Sequence, residues 1–234
     1  MQMGMFGEEI NLDTEGPIGM LNTRMVRIPM WMMKGRYYMG NNTFKLLRSE
    51  EIVQLLEEPT EDRRPLKWNL QKEASVKELV RAVEISQVEL TRRILCDILA
   101  ARRAKSAVSV LIRCLDDPSP WLKDAAAEAL GKIGDVKAGE ALLDHFNKDP
   151  RLWYAVAMGE IGYRAAIPHL IEALQNPSPL VRGGAAWALE ELIAINALKE
   201  LNEIAGMEED PFALKHMKKA IEYLTREKAD NESE

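Results

Sequence analysis

The feature that most constrains the fold of this chain is a two-residue signal, Ser or Asp followed by Pro, which recurs through its second half. Ser and Asp are good helix N-caps and Pro suits the first helical position, so each pair predicts the start of a helix. Self-similarity at about 30 residues predicts a stack of helical repeats. The pairs, at intervals of 30, 29 and 32 residues, are Ser119-Pro120, Asp149-Pro150, Ser178-Pro179 and Asp210-Pro211.

Apolar residues repeat in step with this signal. Paired apolar residues three apart, such as Leu130 and Ile133, lie on one face of each helix that the signal predicts. A second helix precedes each of these, because Leu111, Leu142, Leu170 and Leu201 are spaced by 31, 28 and 31 residues. The pattern extends back in weaker form to Val76. It therefore predicts an all-α solenoid of about five helical pairs over residues 75–225.

Two segments of this pattern resemble a known family. Residues 116–135 and 176–192 are similar to HEAT repeats of the phycobilisome (PBS) lyase type, in which an N-cap and Pro precede an Ala- and Leu-rich helix. The resemblance is close over residues 105–225 and weaker over 75–104. It implies an α-solenoid, and it connects the chain to bilin lyase subunits, to a di-iron hydroxylase and to scaffolds without known activity.

The resemblance does not carry an iron site to this chain. The hydroxylase of the family uses His-Glu pairs at the start of the second helix of each repeat, and the corresponding positions here are Lys123-Asp124, Trp153-Tyr154 and Arg182-Gly183. None of the three histidines, His145, His169 and His216, has metal-site spacing to another ligand. We therefore expect no metal, no cofactor and no enzymatic activity.

Charge and hydropathy exclude other classes. The chain has 31 basic and 37 acidic residues, and residues 111–234 alone hold 14 and 22, so a nucleic-acid enzyme of HEAT-like architecture is disfavoured. No apolar run approaches the ~18 residues of a membrane span. The start of the chain has acids where a signal peptide needs bases, and Cys96 and Cys114 fit reduced buried thiols. We expect a cytoplasmic protein that neither enters a membrane nor binds nucleic acid.

The first 74 residues differ from the repeats. Nine of the twelve methionines lie among the first 39 residues, one amphipathic helix is predicted at about 49–58, and a charged linker follows it. This Met-rich segment is either a cap on the first repeat or an arm that docks on another protein. At the other end, residues 226–234 are predicted to be a disordered acidic tail.

A partner-binding surface is predicted on the second helix of each repeat, which faces the concave side of such stacks. Exposed Trp, Tyr and Arg are frequent anchors of protein interfaces. An alternative stays open, in which the tryptophans pack between repeats and Lys123 and Arg182 form a structural ladder. The predicted site residues are Trp153, Tyr154, Arg182, Trp187, Lys123 and Glu128.

A secondary basic patch is predicted at Arg92, Arg93, Arg102 and Arg103. It would suit an acidic partner, although basic residues late in a helix also offset the helix dipole. Together these features predict a non-enzymatic scaffold or adaptor that binds another protein, as part of a larger complex. The alternative, which rests on the resemblance, is a bilin lyase or isomerase subunit or a cofactor-attachment chaperone.

Overall fold

The computed structural model describes residues 46–60 and 62–233, which form helices and turns with no strand among them. The described helices are α1 (Ser49–Glu57), α2 (Arg64–Glu73), α3 (Val76–Ile85), α4 (Glu89–Ala101), α5 (Val108–Cys114), α6 (Pro120–Ile133), α7 (Gly139–Lys148), α8 (Leu152–Glu160), α9 (Ile167–Ala173), α10 (Pro179–Glu191), α11 (Leu198–Ala205) and α12 (Pro211–Ser233). One-turn 3₁₀ segments precede α5, α7, α9 and α11. The all-α fold class is confirmed.

The helices form a two-layer stack. The even-numbered helices from α4 to α12 pack against one another in succession, and each also packs on the odd-numbered helix before it. Short turns join the two helices of a pair, so each pair is antiparallel. These are the five pairs that the repeat pattern predicts over residues 75–225.

A sixth pair precedes them. Helix α1 lies within the predicted 49–58 and packs on α3, while α2 packs on α4. The sequence predicted only one helix in residues 1–74, and α2 corrects that. Its first turn holds Pro65, a favourable position for Pro, and its apolar side Leu66 and Leu70 is fully buried. Residues 1–45 lie outside the described part of the chain, so the roles proposed for the Met-rich segment stay predictions.

The end of the chain also differs from the expectation. Helix α12 continues to Ser233, through residues for which the sequence predicted a disordered tail. Most residues between Thr225 and Glu232 are good helix formers, and Lys228 forms an ion pair with Glu232 one turn later at 3.8 Å.

The Ser/Asp-Pro signal starts three of its four helices. Pro120, Pro179 and Pro211 are the first residues of α6, α10 and α12. The exception is Asp149-Pro150: Asp149 ends α7 by donating its N–H to the His145 carbonyl, and α8 begins only at Leu152. Helix α8 therefore has 9 residues, against 14 in α6 and 13 in α10.

The ends of the even-numbered helices share a backbone feature. Gly134 and Gly162 follow α6 and α8 with φ of 72°, as the sequence pattern favours for a left-handed stop. The equivalent positions after α4 and α10 hold Arg103 and Ile193, with φ of 48° and 49°. A β-branched residue such as Ile193 is strained in this region.

The turns of the stack lie along two opposite edges. Turns that lead from an odd to an even helix are tied to each other: Ser119 Oγ donates to Glu89 at 2.6 Å, and Arg182 of α10 pairs with Glu208 in the turn before α12. Turns that lead from an even to an odd helix are tied in the same way, because Arg164 donates to the Leu192 carbonyl at 2.6 Å.

Candidate functional site: a groove across α4, α6 and α8

A groove of about 370 Å³ crosses the exposed side of three successive even-numbered helices. It combines two of the predicted site residues and one residue of the predicted basic patch with side chains that the sequence pattern did not select. Its lining is Leu90, Arg93, Ile94, Asp97, Trp121, Asp124, Ala125, Glu128 and Trp153.

Two tryptophans give the groove its apolar walls. Trp121, the second residue of α6, is 63% exposed, whereas Trp153 at the start of α8 is half-buried against the core. The Arg93 guanidinium lies over the Trp121 ring at 5.9 Å from the ring centroid, a cation–π arrangement. A large exposed side chain such as Trp beside a cavity is a typical interface anchor.

Trp121 was not among the predicted site residues. The prediction took outward positions from the third residue after each Pro onward, and Trp121 directly follows Pro120. The missed signal is that the first turn of a helix beyond its N-cap also presents side chains to solvent. Leu90, at the corresponding second position of α4, lies across the same groove and is 46% exposed.

The acidic groups in the groove are paired within the protein. Asp97 accepts from Lys67 at 2.7 Å, and Asp124 accepts two hydrogen bonds from Arg151 at 2.7 and 2.9 Å. Glu128 forms an ion pair with Lys132 one turn further along α6. The groove therefore combines apolar and aromatic surface with charged groups that already have partners within the protein.

Tyr154 is a correction to the predicted site. Its side chain is fully buried, and burial raises the pKa of its phenol to about 12. Tyr154 lies four residues before the core residue Met158, as Ala126 lies four residues before Leu130 in α6, and residues four apart share one face of a helix. The position that seemed to point outward when counted from Pro150 is a core position.

Trp187 lies away from the groove, between two helices. Gly159 of α8 leaves room for it, since a Cβ on Gly159 would lie 3.0 Å from both Trp187 Cζ3 and the Ala188 Cα atom. Trp187 is half-buried in this contact between α8 and α10. The two predicted tryptophans therefore lie in different places: Trp153 lines the groove, and Trp187 packs at the junction of α8 and α10.

Arg182 ties two turns of the stack together. It pairs with Glu208, and the two side chains are only 18% and 4% exposed. Lys123 occupies the equivalent position in α6 and is half-buried. The structural-ladder interpretation of Arg182 is the one that the geometry supports.

The four arginines of the predicted basic patch are separated by their contacts. Arg92 pairs with Asp117, Arg102 donates to the Ala74 carbonyl, and Arg93 covers Trp121. Arg103 is exposed at the far end of α4. They do not form one continuous surface, because two of them bind turns of the protein itself.

A second, larger cavity of about 430 Å³ lies between α7 and α9. It is lined in part by Phe146, His169 and Glu172, and it contains none of the predicted site residues. Phe146 is only 2% exposed, so this cavity presents little aromatic surface. The groove across α4, α6 and α8 is the stronger candidate.

Within residues 46–60 and 62–233, no three His, Cys, Asp or Glu side chains are placed to hold one metal ion together. The same residues include no helix that is long and apolar enough to cross a membrane. Elemental analysis of the purified protein would test the expectation that it holds no metal.

Comparison of the sequence with known proteins gives one family match and one relative. A family model for HEAT repeats matches residues 76–154 and 140–222. The chain is 31% identical over 131 residues to phycocyanobilin lyase subunit beta of Thermosynechococcus vestitus, an alignment that covers 55% of this chain. The alignment spans 62% of that relative, less than two thirds of its length.

Solved structures show the same fold at low identity. The complex of CpcE and CpcF of phycocyanin lyase from Nostoc sp. PCC7120 contains a chain that matches with a TM-score of 0.52 and 19% identity, over 81% of this chain and 99% of that one. An engineered protein matches with a TM-score of 0.53 and 16% identity, over 76% of this chain and 89% of that one.

Proposed function

This chain belongs to the HEAT-repeat family, and we propose that it is a protein-binding subunit that holds a partner protein in the groove across α4, α6 and α8. The single observation that carries the proposal is the pair Trp121 and Trp153 on the walls of one cavity, with Arg93 over the Trp121 ring. Aromatic anchors and Arg at the centre of a cavity are the usual composition of a binding hot spot.

The pairing of charges inside the groove supports the same proposal. Asp97 and Asp124 already accept hydrogen bonds from Lys67 and Arg151. Each carboxylate therefore keeps its donor when a partner inserts an apolar side chain into the groove. Burial of apolar surface stabilises a complex by roughly 25 cal/mol per Å² before the costs of association are subtracted. The exposed Trp121 ring and the part of Trp153 that is not buried against the core contribute to that surface.

A second candidate function is that of a subunit of a bilin lyase. The relative of 31% identity, which is named phycocyanobilin lyase subunit beta, supports it, and so does the fold shared with a chain of the CpcE and CpcF complex. In that case the partner would be a second protein subunit of the lyase. The cytoplasm stays the compartment that we expect, in accord with the free thiols of Cys96 and Cys114.

The primary proposal is tested by affinity purification of the full chain from the organism that encodes it. The wild type is compared with Trp121→Ala, Trp153→Ala and Trp68→Ala. Trp68 on α2 is the matched control, because it is 65% exposed and lies outside the groove. A co-purifying protein that is lost with both groove variants and kept with Trp68→Ala supports the proposal. A partner retained by all variants contradicts it.

The second candidate is tested by co-expression with phycocyanin subunits and a source of phycocyanobilin. Covalent bilin on a phycocyanin subunit, detected by absorbance of the denatured product, would support a role in bilin attachment. No bilin transfer above the background without this chain, in the presence of its co-purifying partner, would contradict that role while leaving the protein-binding function intact.

A further inference from the structure

Exposed apolar side chains are concentrated along one edge of the stack. We name the turns from odd to even helices (residues 86–88, 115–119, 149–151, 174–178 and 206–210) the acidic edge. Of eleven large apolar side chains that are exposed in the described residues, seven lie in these turns or within two residues of them, so they are not scattered at random. The seven are Ile85, Val88, Leu90, Trp121, Leu180, Met207 and Phe212.

The opposite edge, formed by residues 102–107, 134–138, 161–166 and 192–197, is named the basic edge. Only Val136 and Ile193 of the exposed apolar side chains lie there. Its charged residues are five bases and one acid: Arg102, Arg103, Lys105, Lys137, Arg164 and Asp135. The two edges of the stack therefore differ in both apolar content and charge.

The acidic edge has the reverse composition, with six acids and one base. These are Asp116, Asp117, Asp149, Glu208, Glu209 and Asp210, together with Arg151. Arg92 and Arg182 reach in from their helices and pair with Asp117 and Glu208, Arg151 lies 3.5 Å from Asp149, and His145 lies 3.5 Å from Asp116. The six acids of the edge therefore face three arginines, which leaves an excess of negative charge. The side chains of Asp116 and Asp149 are 77% and 56% exposed, and Glu209 is exposed as well.

We propose that the acidic edge binds a basic amphipathic helix of the partner protein, with apolar side chains on one face and Lys or Arg beside them. The inference rests on the proposed function and deepens it, because Leu90 and Trp121 line the groove and each lies within two residues of the acidic edge. Charge complementarity selects this occupant: apolar residues would cover Leu90, Trp121, Leu180 and Phe212, and basic residues would face Asp116, Asp149 and Glu209.

Spacing supports a helix as the occupant. Packed helices typically lie about 8–10 Å apart. We therefore expect that interval between Leu90 and Trp121, at the starts of α4 and α6, and between Leu180 and Phe212, at the starts of α10 and α12. Residues seven apart in an α-helix are about 10.5 Å apart along its axis and lie on one face. A partner helix with apolar residues in heptad spacing can therefore contact Leu90 and Trp121, or Leu180 and Phe212, at the same time.

The test uses the full chain and two labelled helical peptides, one with Leu on one face and Lys on the other, and one with Glu in place of every Lys. Binding is measured by fluorescence anisotropy. We expect the Lys peptide to bind at least tenfold more tightly than the Glu peptide, with an affinity that falls as salt rises. Equal binding of the two peptides would overturn the proposal.

Substitutions test whether the Lys peptide binds at the acidic edge. Trp121→Ala and the double reversal Asp116→Lys with Glu209→Lys should each weaken the Lys peptide about tenfold or more. Trp68→Ala and Asp144→Lys, an exposed acid on α7, should leave it unchanged. Equal loss in these controls would contradict the assignment. Self-association of the chain that the double reversal abolishes, measured by sedimentation, would also overturn it in favour of a second copy as the occupant.

The two proposals fail separately. A native partner that is lost with Trp121→Ala but binds through a neutral or acidic segment would refute the basic-helix inference and leave the proposed function standing. Tight binding of the Lys peptide on the acidic edge, with no native partner dependent on Trp121 or Trp153, would do the opposite.

Discussion

Arg182 and Glu208 join the last two helical pairs through a bidentate ion pair. The guanidinium Nε donates to Oε2 at 2.6 Å and Nη2 donates to Oε1 at 2.7 Å, while Nη1 donates to the carbonyls of Asn176 and Pro177. The arginine thereby connects the turn before α10 with the turn before α12. A residue that sequence reasoning assigned to partner binding is part of the framework that aligns the acidic edge.

Glu208→Gln should lower the free energy of unfolding by about 2 kcal/mol, because hydrogen bonds to charged groups contribute about 1.5–3 kcal/mol each when they are shielded. Glu209→Gln, its exposed neighbour, is the matched control and should change stability by less than about 0.5 kcal/mol. Urea denaturation checks both. Equal effects of the two substitutions would contradict the role of the ion pair.

The same pair predicts a pH dependence. The hydrogen bonds from Arg182 lower the pKa of Glu208 below its ordinary value of 4.5. A carboxyl group whose pKa is lowered in the folded state contributes stability above its unfolded pKa, and that contribution is lost as pH falls through the folded pKa. The stability difference between wild type and Glu208→Gln should therefore be full at neutral pH and should shrink below pH 4.5.

Tyr154 should behave as a core residue. Its hydroxyl is buried without a hydrogen-bond partner in the described structure, so Tyr154→Phe should leave stability unchanged or raise it by up to about 1 kcal/mol. Tyr154→Ala should cost about 3–5 kcal/mol, since it removes a buried ring and leaves a cavity. Thermal and urea unfolding measure both variants. A partner affinity that falls in folded Tyr154→Phe would show that the residue belongs to the site after all.

Backbone strain at the helix ends can be measured at two equivalent positions. At Gly162, with φ of 72°, an added Cβ would meet no atom within 4 Å. Gly162→Ala therefore measures the strain of the left-handed backbone alone and should lower the free energy of unfolding by about 1 kcal/mol. Ile193→Gly should raise stability by about 0.5–1 kcal/mol, because it relieves strain at a φ of 49°. Destabilisation by Ile193→Gly would show that its side-chain contacts outweigh the strain.

The buried thiols should differ in acidity. The hydrogen bond from Cys96, together with the nearby Arg92 guanidinium, lowers the pKa of Cys114 to about 7, whereas the pKa of Cys96 is raised. Cys96→Ala should therefore raise the pKa of Cys114, and the ultraviolet absorbance of its thiolate should rise at higher pH than in the wild type. In Cys114→Ala, by contrast, no thiolate absorbance should develop near neutral pH. An unchanged pH profile in Cys96→Ala would contradict this arrangement.

The repeat architecture could be predicted because it rests on local signals. Three of the four Ser/Asp-Pro pairs mark helix starts. The spacing of Leu111, Leu142, Leu170 and Leu201 marks the buried faces, since all four leucines are fully buried. Helix α2 was missed because its ten residues contain only two buried apolar positions within a charged stretch. Its place in the stack depends on tertiary contacts with α4 that no local pattern reports.

The site was less predictable, because it depends on register and on neighbours distant in sequence. Counting from Pro150 placed Tyr154 outside, whereas counting back from the apolar residue Met158 places it four residues earlier on the same, buried face. Trp187 and Arg182 were assigned by exposure on a single helix, but Gly159 and Glu208 on neighbouring elements remove them from the surface. Trp153 and Glu128 are placed in the groove, beside Trp121.

The central claim is that a partner protein binds in the groove through Trp121 and Trp153. The most direct measurement is the affinity of the purified native partner for Trp121→Ala, Trp68→Ala and Trp187→Ala, by isothermal titration calorimetry, with a thermal melt of each variant. The account predicts that Trp121→Ala weakens binding by about 2 kcal/mol with little change in melting temperature. Trp68→Ala should change neither quantity, and Trp187→Ala should lower the melting temperature while the folded protein keeps its affinity. Unchanged affinity in Trp121→Ala, or an equal loss in Trp68→Ala, would contradict the account.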